Sequence, residues 1–282
     1  GGGALRPSAT TASRLSAVGH GVALLPDSIR KIPDSDLRYH RPVGTGGFAE
    51  VYKATWRRPS YAKEGEGATS STSPHGGASY TAQPPPVPPV AAQQPPPRFT
   101  ELTVAVKRLH TAPDGDGRLL DFCREIGLLD QLQHRNVLAL LGITVGANGG
   151  LGIVTEYLPR GSVFQLLQRH AGQPPALSLA WRLLRGCARG MAYLHSLSPP
   201  IIHRDLKSQN LLVGADYTVK VGDFGLAREC LRTQKMTRVG SVQWAAVEVL
   251  LGTTYSHKCD LWSFGVVCWE LMTAKVPFHG LS

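Results

Sequence analysis

The sequence lacks any apolar run long enough to cross a membrane. A spanning helix needs about 18 or more consecutive apolar residues. The most apolar stretch, residues 261–272, is shorter than this and contains both Ser263 and Glu270. We therefore expect a protein without a membrane span.

Cysteine is also scarce, and its spacing argues against a disulfide-rich secreted domain. An odd, scattered set of this kind is typical of reduced thiols in an intracellular protein. The sequence therefore predicts a cytoplasmic location. The five cysteines are Cys123, Cys187, Cys230, Cys259 and Cys268.

Acidic residues are fewer than basic ones, and the formal net charge is +10. Such a surplus has two interpretations, which are binding to nucleic acid or another anionic surface and a diffuse excess of surface Lys and Arg. No stretch interleaves aromatic and basic residues in the way that a base-stacking surface does. Because the basic residues are scattered along the sequence, we favour the diffuse excess and expect no nucleic-acid partner.

The first 36 residues are predicted to be a disordered leader. Their early part is rich in Ser, Thr and Ala and has no acid before Asp27, a composition that transit peptides share. From Leu37 the sequence "LRYHRPVGTGGFAEVYKATW" predicts two short strands around a glycine-rich turn. The folded part is therefore expected to begin near residue 37.

A low-complexity segment, residues 57–98, interrupts this strand-like sequence. It is rich in Pro, Gly and Ser, with polyproline II character over residues 84–97. A long structureless loop inside a domain normally counts against an assignment. Strand-like sequence resumes at once with "FTELTVAVKRL", so we interpret the segment as an insert within one domain.

The remaining sequence predicts strands with one helix at the front and mostly helix at the back. Ser178 is the predicted N-cap of the second helix. The helices are predicted over residues 119–132, 178–197 and 260–273. The strands are predicted over residues 136–145, 151–158, 211–213 and 219–221.

The polar stretch "HRDLKSQN", residues 203–210, lies between two apolar runs and is the first candidate for chemistry. A solvated surface loop is the simpler interpretation. However, Asp205, Asn210 and the Asp223 of "DFG" together offer hard oxygen ligands that suit Mg²⁺. One carboxylate could accept a hydroxyl proton, and Lys207 could neutralise charge on a moving phosphoryl group.

Two further motifs fit a phosphorylated ligand. Glycines in "GTGGFAEV", residues 44–51, let backbone N–H groups approach phosphates, although a plain hairpin turn also accounts for them. A strand follows, which argues against a dinucleotide fold because that fold needs a helix there. Lys107 ends "VAVK", and Glu125 lies on the predicted helix. Since a buried Lys needs a carboxylate partner, this pair could hold a polyanion.

Taken in order, these motifs resemble the eukaryotic protein kinase family. They are "GTGGFAEV", "VAVK", a helix Glu, "HRDLKSQN", "DFG", a diverged "AVE" in place of A-P-E, and "DLWSFG". The resemblance covers residues 37–282, and "IVTEYLPRGSV" and "GSVQWAAVEVL" are most similar to the tyrosine-kinase-like branch. It implies an α+β, two-lobed kinase fold. The small N-lobe (residues 37–155) would be mostly β with one helix, followed by a hinge (156–161) and a mostly α, incomplete C-lobe (162–282).

The resemblance also implies roles for individual residues. Asp205 would orient the substrate hydroxyl and accept its proton, with Lys207 as a further catalytic residue. Lys107, paired with Glu125, would bind the ATP phosphates. The Mg²⁺ ligands would be Asn210 and Asp223. The ATP site would comprise Val43, Gly44, Thr45, Gly46, Gly47, Val51, Ala105, Lys107, Thr155, Glu156, Leu158 and Leu212. An internal spine would comprise Leu129, Leu140, His203 and Phe224.

The segment over residues 223–248 would be the activation segment. A phosphate on it could be bound by Arg204 and order the loop, whereas solvated hydroxyls are the simpler interpretation. Ser241 has an alternative role, in which it contacts Asp205 and Lys207 near the substrate. The candidate phosphorylation sites are Thr233, Thr237 and Ser241.

Three departures from the family pattern bear on activity. Ala49 replaces the third glycine of the phosphate loop, and Val247 replaces the proline of A-P-E. We expect activity to survive both. The third departure is the end of the chain at "VPFHGLS", before further helices that the family has. We therefore expect a truncated chain, with apolar surface of the helix at residues 260–273 left exposed.

The resemblance predicts an ATP- and Mg²⁺-dependent protein Ser/Thr kinase that acts on protein substrates in intracellular signalling. The alternative is a catalytically impaired kinase-fold fragment that binds or scaffolds other proteins. In that case the Pro-rich insert would be a ligand for an SH3- or WW-type partner. Deleting residues 57–98 separates the two, because a scaffold would lose its partners whereas a kinase would keep catalysis.

Overall fold

Five strands in the N-terminal part of the computed structural model form one antiparallel sheet. The strands are β1 (Leu37–Thr45), β2 (Ala49–Ser60), β3 (Arg98–Leu109), β4 (Leu140–Val145) and β5 (Leu151–Glu156). Their order across the sheet is β1, β2, β3, β5, β4. The structure describes residues 25–45, 49–60, 98–109, 116–146, 150–170, 172–229, 234–235 and 241–278.

The strand register gives this sheet two distinct faces. Val51 pairs with Lys107 on the neighbouring strand, and Ala105 pairs with Thr155. Paired residues share a face and successive residues alternate between faces, so these four residues lie on one face. The opposite face is buried in an apolar cluster that includes Ala54, Trp56, Val104, Val106 and Val154.

Helices dominate the rest of the described chain, and this confirms the predicted α+β class. The helices are α1 (Asp116–Gln131), α2 (Val163–Arg169), α3 (Leu177–Ser196), α4 (Val247–Leu250) and α5 (Lys258–Thr273). Six short strands form three two-stranded pairs, β6 with β9, β7 with β8 and β10 with β11. These strands are β6 (Ile201–Ile202), β7 (Leu211–Val213), β8 (Val219–Val221), β9 (Arg228–Glu229), β10 (Gln234–Lys235) and β11 (Thr254–Tyr255).

One large apolar cluster connects the sheet with the helices. It contains Ile126 of α1, Ile153 of β5, Leu183 of α3 and Leu271 of α5, each almost fully buried. A cluster of this size excludes water from the elements that carry the polar motifs. The loops between those elements are therefore held on a rigid support.

The prediction of a disordered leader over residues 1–36 is wrong for residues 25–36. Ile29 and Ile32 are buried in the two apolar clusters. The Ile32 N–H donates to the Ile143 carbonyl at 2.7 Å, and the Ile143 N–H donates to the Arg30 carbonyl at 2.9 Å. This short segment is ordered because it pairs with β4. The first 24 residues lie outside the described residues.

Several predicted element boundaries also need correction. The predicted insert is too wide, because β2 continues to Ser60 and β3 begins at Arg98, with Ser60 paired to Arg98. Residues 61–97 lie outside the described residues, so the role of the Pro-rich stretch stays a prediction. The predicted strand over residues 136–145 starts only at Leu140, and that over 151–158 ends at Glu156.

Ser178 is not the N-cap of α3. The helix begins at Leu177 with Ala176 as its N-cap, and no side chain caps it. The N–H groups of Leu179 and Ala180 both donate to the Ala176 carbonyl, at 2.9 and 3.0 Å. The first turn therefore closes on Ala176 and leaves Ser178 inside the helix.

Gly190 allows α3 to lie directly against the loop that precedes β4. A Cβ at this position would lie 2.5 Å from the Asn136 carbonyl oxygen and 2.9 Å from Val221 Cγ2. Backbone on one side and a branched core side chain on the other leave no room for a methyl group. The close contact of α3 with β8 therefore depends on this glycine.

We expect Gly190→Ala to destabilise the protein by about 1–3 kcal/mol, as overpacking of a core does. Gly265→Ala in α5 is the matched control, because a Cβ there meets nothing within 4 Å. Alanine in an open helical position should raise stability by up to about 1 kcal/mol. Urea unfolding of both variants measures the difference, and equal midpoints would contradict the packing argument.

No helix within the described ranges is both long and apolar enough to span a bilayer. The expected exposed apolar surface on the last helix is present. Val267 and Leu271 of α5 are buried, whereas the side chains of Leu261, Trp262, Trp269 and Met272 are exposed.

Candidate active site

Lys107 connects three elements through its ammonium group. Its Nζ lies 2.7 and 2.9 Å from the two carboxylate oxygens of Glu125 on α1. It also lies 3.0 Å from Asp223 Oδ1, in the loop after β8. The side chain of Glu125 is only 5% exposed, so its charge has no solvent to replace this partner. The predicted pairing of Lys107 with Glu125 is present.

These contacts set the charge states of Lys107 and Asp223. Burial by itself lowers the pKa of Lys107, but the carboxylates of Glu125 and Asp223 outweigh it, and the pKa lies above its usual range. Partial desolvation by neighbouring groups by itself raises the pKa of Asp223, but the charge and hydrogen bond of Lys107 outweigh it, and the pKa lies below its usual range. At neutral pH the site therefore holds an ammonium cation beside an ionised Asp223.

The Asp205 carboxylate is held from three sides. Its Oδ2 accepts hydrogen bonds from Lys207 Nζ at 2.7 Å and from Asn210 Nδ2 at 3.1 Å. Its Oδ1 accepts one from the Ser241 backbone N–H at 3.0 Å. Lys207 Nζ also donates to Ser241 Oγ at 2.7 Å. Ser241 thus makes the contacts with Asp205 and Lys207 that its alternative role required, and the carboxylate has a fixed orientation.

Asp260 of α5 anchors the loop that carries Asp205, and the sequence interpretation gave it no role. This carboxylate is 1% exposed. It accepts hydrogen bonds from the His203 and Arg204 backbone N–H groups, both at 2.9 Å. His195 Nε2 lies 2.8 Å from its Oδ2. The available signal was an acid at the start of an otherwise apolar helix.

Glu270, one of the interruptions in the apolar run, connects the same loop to the end of the activation segment. Its Oε1 accepts from Ser208 Oγ at 2.5 Å, and its Oε2 accepts from Trp244 Nε1 at 2.7 Å. Burial raises the pKa of Glu270, and the two hydrogen bonds oppose that shift. α5 therefore holds the loop at two points through buried carboxylates.

Two residues of the site adopt the left-handed backbone region, Arg204 with φ 65° and Asp223 with φ 61°. Such a conformation costs a non-glycine residue of order 1–3 kcal/mol and persists only where neighbouring contacts impose it. Arg204 Nε donates to the Leu226 carbonyl at 2.6 Å. The buried rings of His203 and Phe224 contact each other with centroids 5.3 Å apart. These contacts fix the two loops relative to each other.

One face of the five-stranded sheet carries four of the predicted nucleotide-binding residues. Val51, Ala105, Lys107 and Thr155 share one face, as the register requires. Glu156 accepts from the Ala139 N–H at 2.9 Å and pairs with Lys220 at 2.7 Å, so its carboxylate is turned away from this face towards structural partners. Leu212 lies on β7, and its position opposite the sheet residues stays a prediction.

Four of the remaining predicted site residues lie within the described part of the chain, and four lie outside it. Val43 is half-buried near the end of β1, Gly44 and Thr45 are exposed, and Leu158 is buried after β5. Gly46, Gly47, Thr233 and Thr237 lie outside the described residues.

The side-chain oxygens of Asn210 and Asp223 fit a magnesium ion that takes its other ligands from a nucleotide and water. Asn210 Nδ2 donates to Asp205 O at 2.8 Å and to Asp205 Oδ2 at 3.1 Å, which leaves its Oδ1 available. Asp223 is 49% exposed, so its carboxylate is open to a ligand. The described residues contain no cluster of three His, Cys, Asp or Glu side chains that could hold a metal alone. Mg²⁺ commonly takes one or two protein ligands and completes its shell with phosphates and water.

Comparison with known proteins identifies relatives over most of the chain. Residues 90–282 match the family described as protein tyrosine and serine/threonine kinase. The chain is 34% identical to serine/threonine-protein kinase CTR1 of Arabidopsis thaliana, over 89% of this chain and 26% of that protein. It is also 34% identical to mitogen-activated protein kinase kinase kinase 10 of Homo sapiens, over 89% of this chain and 22% of that protein. The chain spans only 18% to 32% of the length of the first curated relatives.

Proposed function

The chain belongs to the protein tyrosine and serine/threonine kinase family, and we propose that it transfers the γ-phosphoryl group of ATP to Ser and Thr hydroxyls of protein substrates. The observation that carries this proposal is the fixed Asp205 carboxylate, held by Asn210, Lys207 and Ser241. A base in such a position can accept the proton of a substrate hydroxyl. The similarity to the serine/threonine-protein kinase CTR1 supports the choice of acceptor.

In the reaction, Asp205 would orient the substrate hydroxyl and take up its proton. The hydroxyl oxygen forms a bond to the γ-phosphorus, and the bond from that phosphorus to the bridging oxygen of ADP breaks. Lys207, which already contacts Asp205 at 2.7 Å, would place a positive charge beside the transferred group. Such fixed charges stabilise the transition state without reorganisation during the reaction.

Lys107 would bind the phosphates of ATP from the other side of the site. Its pairing with Glu125 and Asp223 keeps it charged and holds its Nζ between α1 and the loop after β8. Asn210 and Asp223 would hold Mg²⁺, which would supply positive charge to neutralise the phosphates. The apolar side chains of Val51 and Ala105 would contact the adenine ring.

Ser241 acts as a positioning residue in this proposal. Its backbone N–H and its hydroxyl both engage groups that would contact the substrate, Asp205 and Lys207. A phosphate on Ser241 would place negative charge next to the Asp205 carboxylate, which is unfavourable. We therefore assign activating phosphorylation to Thr233 or Thr237 in preference to Ser241.

We expect Lys107→Met to lower kcat/KM for ATP by about 10²-fold or more, because a fixed cation is lost from the phosphate site. Lys107→Arg keeps the charge but changes its shape, and its loss should be intermediate. The exposed Lys258 on α5 provides the matched control, Lys258→Met, which should leave kcat/KM for ATP unchanged. Initial rates over a range of ATP concentrations measure all three. If the Lys107→Met variant is as active as wild type, Lys107 does not bind the ATP phosphates.

The experiment that tests the proposed function identifies the amino acid that receives the phosphate. The chain is incubated with γ-labelled ATP, Mg²⁺ and a mixed protein substrate, and the labelled product is hydrolysed to its phosphoamino acids. We expect phosphoserine and phosphothreonine. Phosphotyrosine alone would contradict the assigned acceptor, and no labelled protein at all would favour the alternative in which the chain binds without catalysis.

A further inference from the structure

A second, strongly basic site lies along α3, among residues that the proposed phosphotransfer does not use. Four arginines line a cleft of about 350 Å³ between α3 and the loop before β4. Three of them lie three and four residues apart on one side of the helix, and the fourth comes from a distant part of the sequence. They are Arg182, Arg185, Arg189 and Arg135. No Asp or Glu is among the residues that line this cleft.

The positive charge of this cleft is only partly balanced by neighbouring acids. Within the described ranges, none of the four has an ion pair or a hydrogen bond to another protein group. The nearby acid, Asp216, accepts hydrogen bonds from the Thr218 backbone N–H at 3.0 Å and hydroxyl at 2.6 Å, and its negative charge also interacts with Arg182. The nearby Lys220 is paired with Glu156 at 2.7 Å. The cleft therefore gathers unbalanced positive charge that can bind an anion.

The same cleft contains a buried hydrogen-bond acceptor without a partner. Asn136 is 3% exposed, and its Nδ2 donates to the Val219 carbonyl at 2.8 Å. That bond fixes the amide orientation. Its Oδ1 has no hydrogen-bond partner in the part of the chain that the structure describes. A buried acceptor without a partner is uncommon, but this one lies beneath the surface of the cleft, so the exposed arginines supply the contacts to a ligand.

The shape of this surface fits an extended chain. A second depression, lined by His134, Tyr193 and Ser196, adjoins the cleft and shares Arg135 and Arg189 with it. Together the two run along α3 from Ser178 to Ser196, which is roughly 27 Å at 1.5 Å per residue. An extended peptide of about eight residues has this length. We refer to the two depressions together as the α3 groove.

We propose that the α3 groove is a docking site for an acidic or phosphorylated peptide segment of a protein partner. Guanidinium groups bind carboxylates and phosphates through paired hydrogen bonds, and the four arginines are exposed, so their guanidinium groups are accessible to such a ligand. The cleft of about 350 Å³ that these arginines line can receive a side chain of such a peptide. Proteins that bind single-stranded nucleic acid commonly stack its bases on aromatic rings, whereas the Tyr217 ring at the cleft already lies 3.8 Å from the Arg160 guanidinium.

The test is fluorescence anisotropy of a labelled peptide of about eight residues that carries glutamates and two phosphoserines. We expect the full chain to bind this peptide, and Arg182→Gln/Arg185→Gln to weaken binding about tenfold or more, since each lost charged hydrogen bond is strong. Arg38→Gln/Arg41→Gln is the matched control, because it removes the same charge from exposed positions of β1. It should leave binding unchanged.

Two further arms separate docking from catalysis and a peptide ligand from a lipid surface or a nucleic acid. Asp205→Asn should bind the peptide like wild type, because docking needs no catalysis, so failure of the proposed function would not hide docking. Vesicles with phosphatidylserine and a single-stranded oligonucleotide are tested in parallel. Absence of peptide binding, equal loss in both double variants, or binding to vesicles or oligonucleotide in place of the peptide would each overturn the proposal.

Discussion

Asp205→Asn should lower kcat by about 10²–10⁴-fold, the usual contribution of a positioned general base, while the KM for ATP stays nearly unchanged. The amide keeps the size of the carboxylate but cannot take up the hydroxyl proton. The carboxylate accepts hydrogen bonds from Lys207, Asn210 and the Ser241 backbone N–H. In the amide, an NH₂ group that donates replaces one of these acceptor oxygens. The effect therefore falls on the chemical step.

The control for this variant is Asp216→Asn, the same chemical change at a site that takes no part in the reaction. Asp216 lies in the turn before β8 and bonds only to Thr218 among the described residues. Steady-state rates with a protein substrate compare the two. A kcat for Asp205→Asn within about twofold of the control would show that Asp205 is not the base.

Asp260→Asn should reduce the free energy of unfolding by about 3 kcal/mol, because a buried charge that accepts several hydrogen bonds is replaced by a group that must donate at one of them. The amide can accept from one of the His203 and Arg204 backbone N–H groups, but its NH₂ group then faces the other donor. The strained φ of Arg204 depends on this anchor. We therefore expect kcat to fall together with stability.

Urea unfolding and initial rates measure the two effects of Asp260→Asn. The exposed Asp130, which accepts a single bond from Ser28 at 3.2 Å, provides the control Asp130→Asn. Loss of a surface interaction of this kind should cost under about 1 kcal/mol. If both variants unfold at the same urea concentration, the anchoring role of Asp260 is wrong.

The parts of the site that lie close together in sequence were predictable. Asp205, Lys207 and Asn210 share one loop, and local spacing alone places them side by side. Lys107 and Glu125 could be paired because a strand Lys and a helix Glu each need a partner once buried. The structure brings these residues to within hydrogen-bond distance.

The buried carboxylates of α5 could not be assigned in the same way. Asp260 and Glu270 meet their partners across 57 and 62 residues of sequence. In the sequence they are single acids in an apolar run, and no local rule connects such an acid to a distant backbone N–H or hydroxyl. Their roles depend on how α5 packs against the loop.

Residues 25–36 show the same limit at the level of the fold. Ile29 and Ile32 are two isolated apolar residues, too few to form a period that predicts structure. They become ordered because a backbone segment more than a hundred residues away, at Ile143, offers hydrogen bonds. The α3 groove could be predicted only in part, since Arg182, Arg185 and Arg189 have helical spacing on a predicted helix, whereas Arg135 is distant along the chain.

The central claim is that this site moves the terminal phosphoryl group of ATP onto protein. The most direct measurement compares γ-labelled with α-labelled ATP as the donor, with Mg²⁺, a protein substrate, and either the wild-type chain or Asp205→Asn. We expect label in the protein only from the γ position, and only with the wild-type chain. Label from the α position would show that the nucleotide itself is transferred, and γ-label that persists in Asp205→Asn would show that the reaction occurs elsewhere; either result would contradict the account.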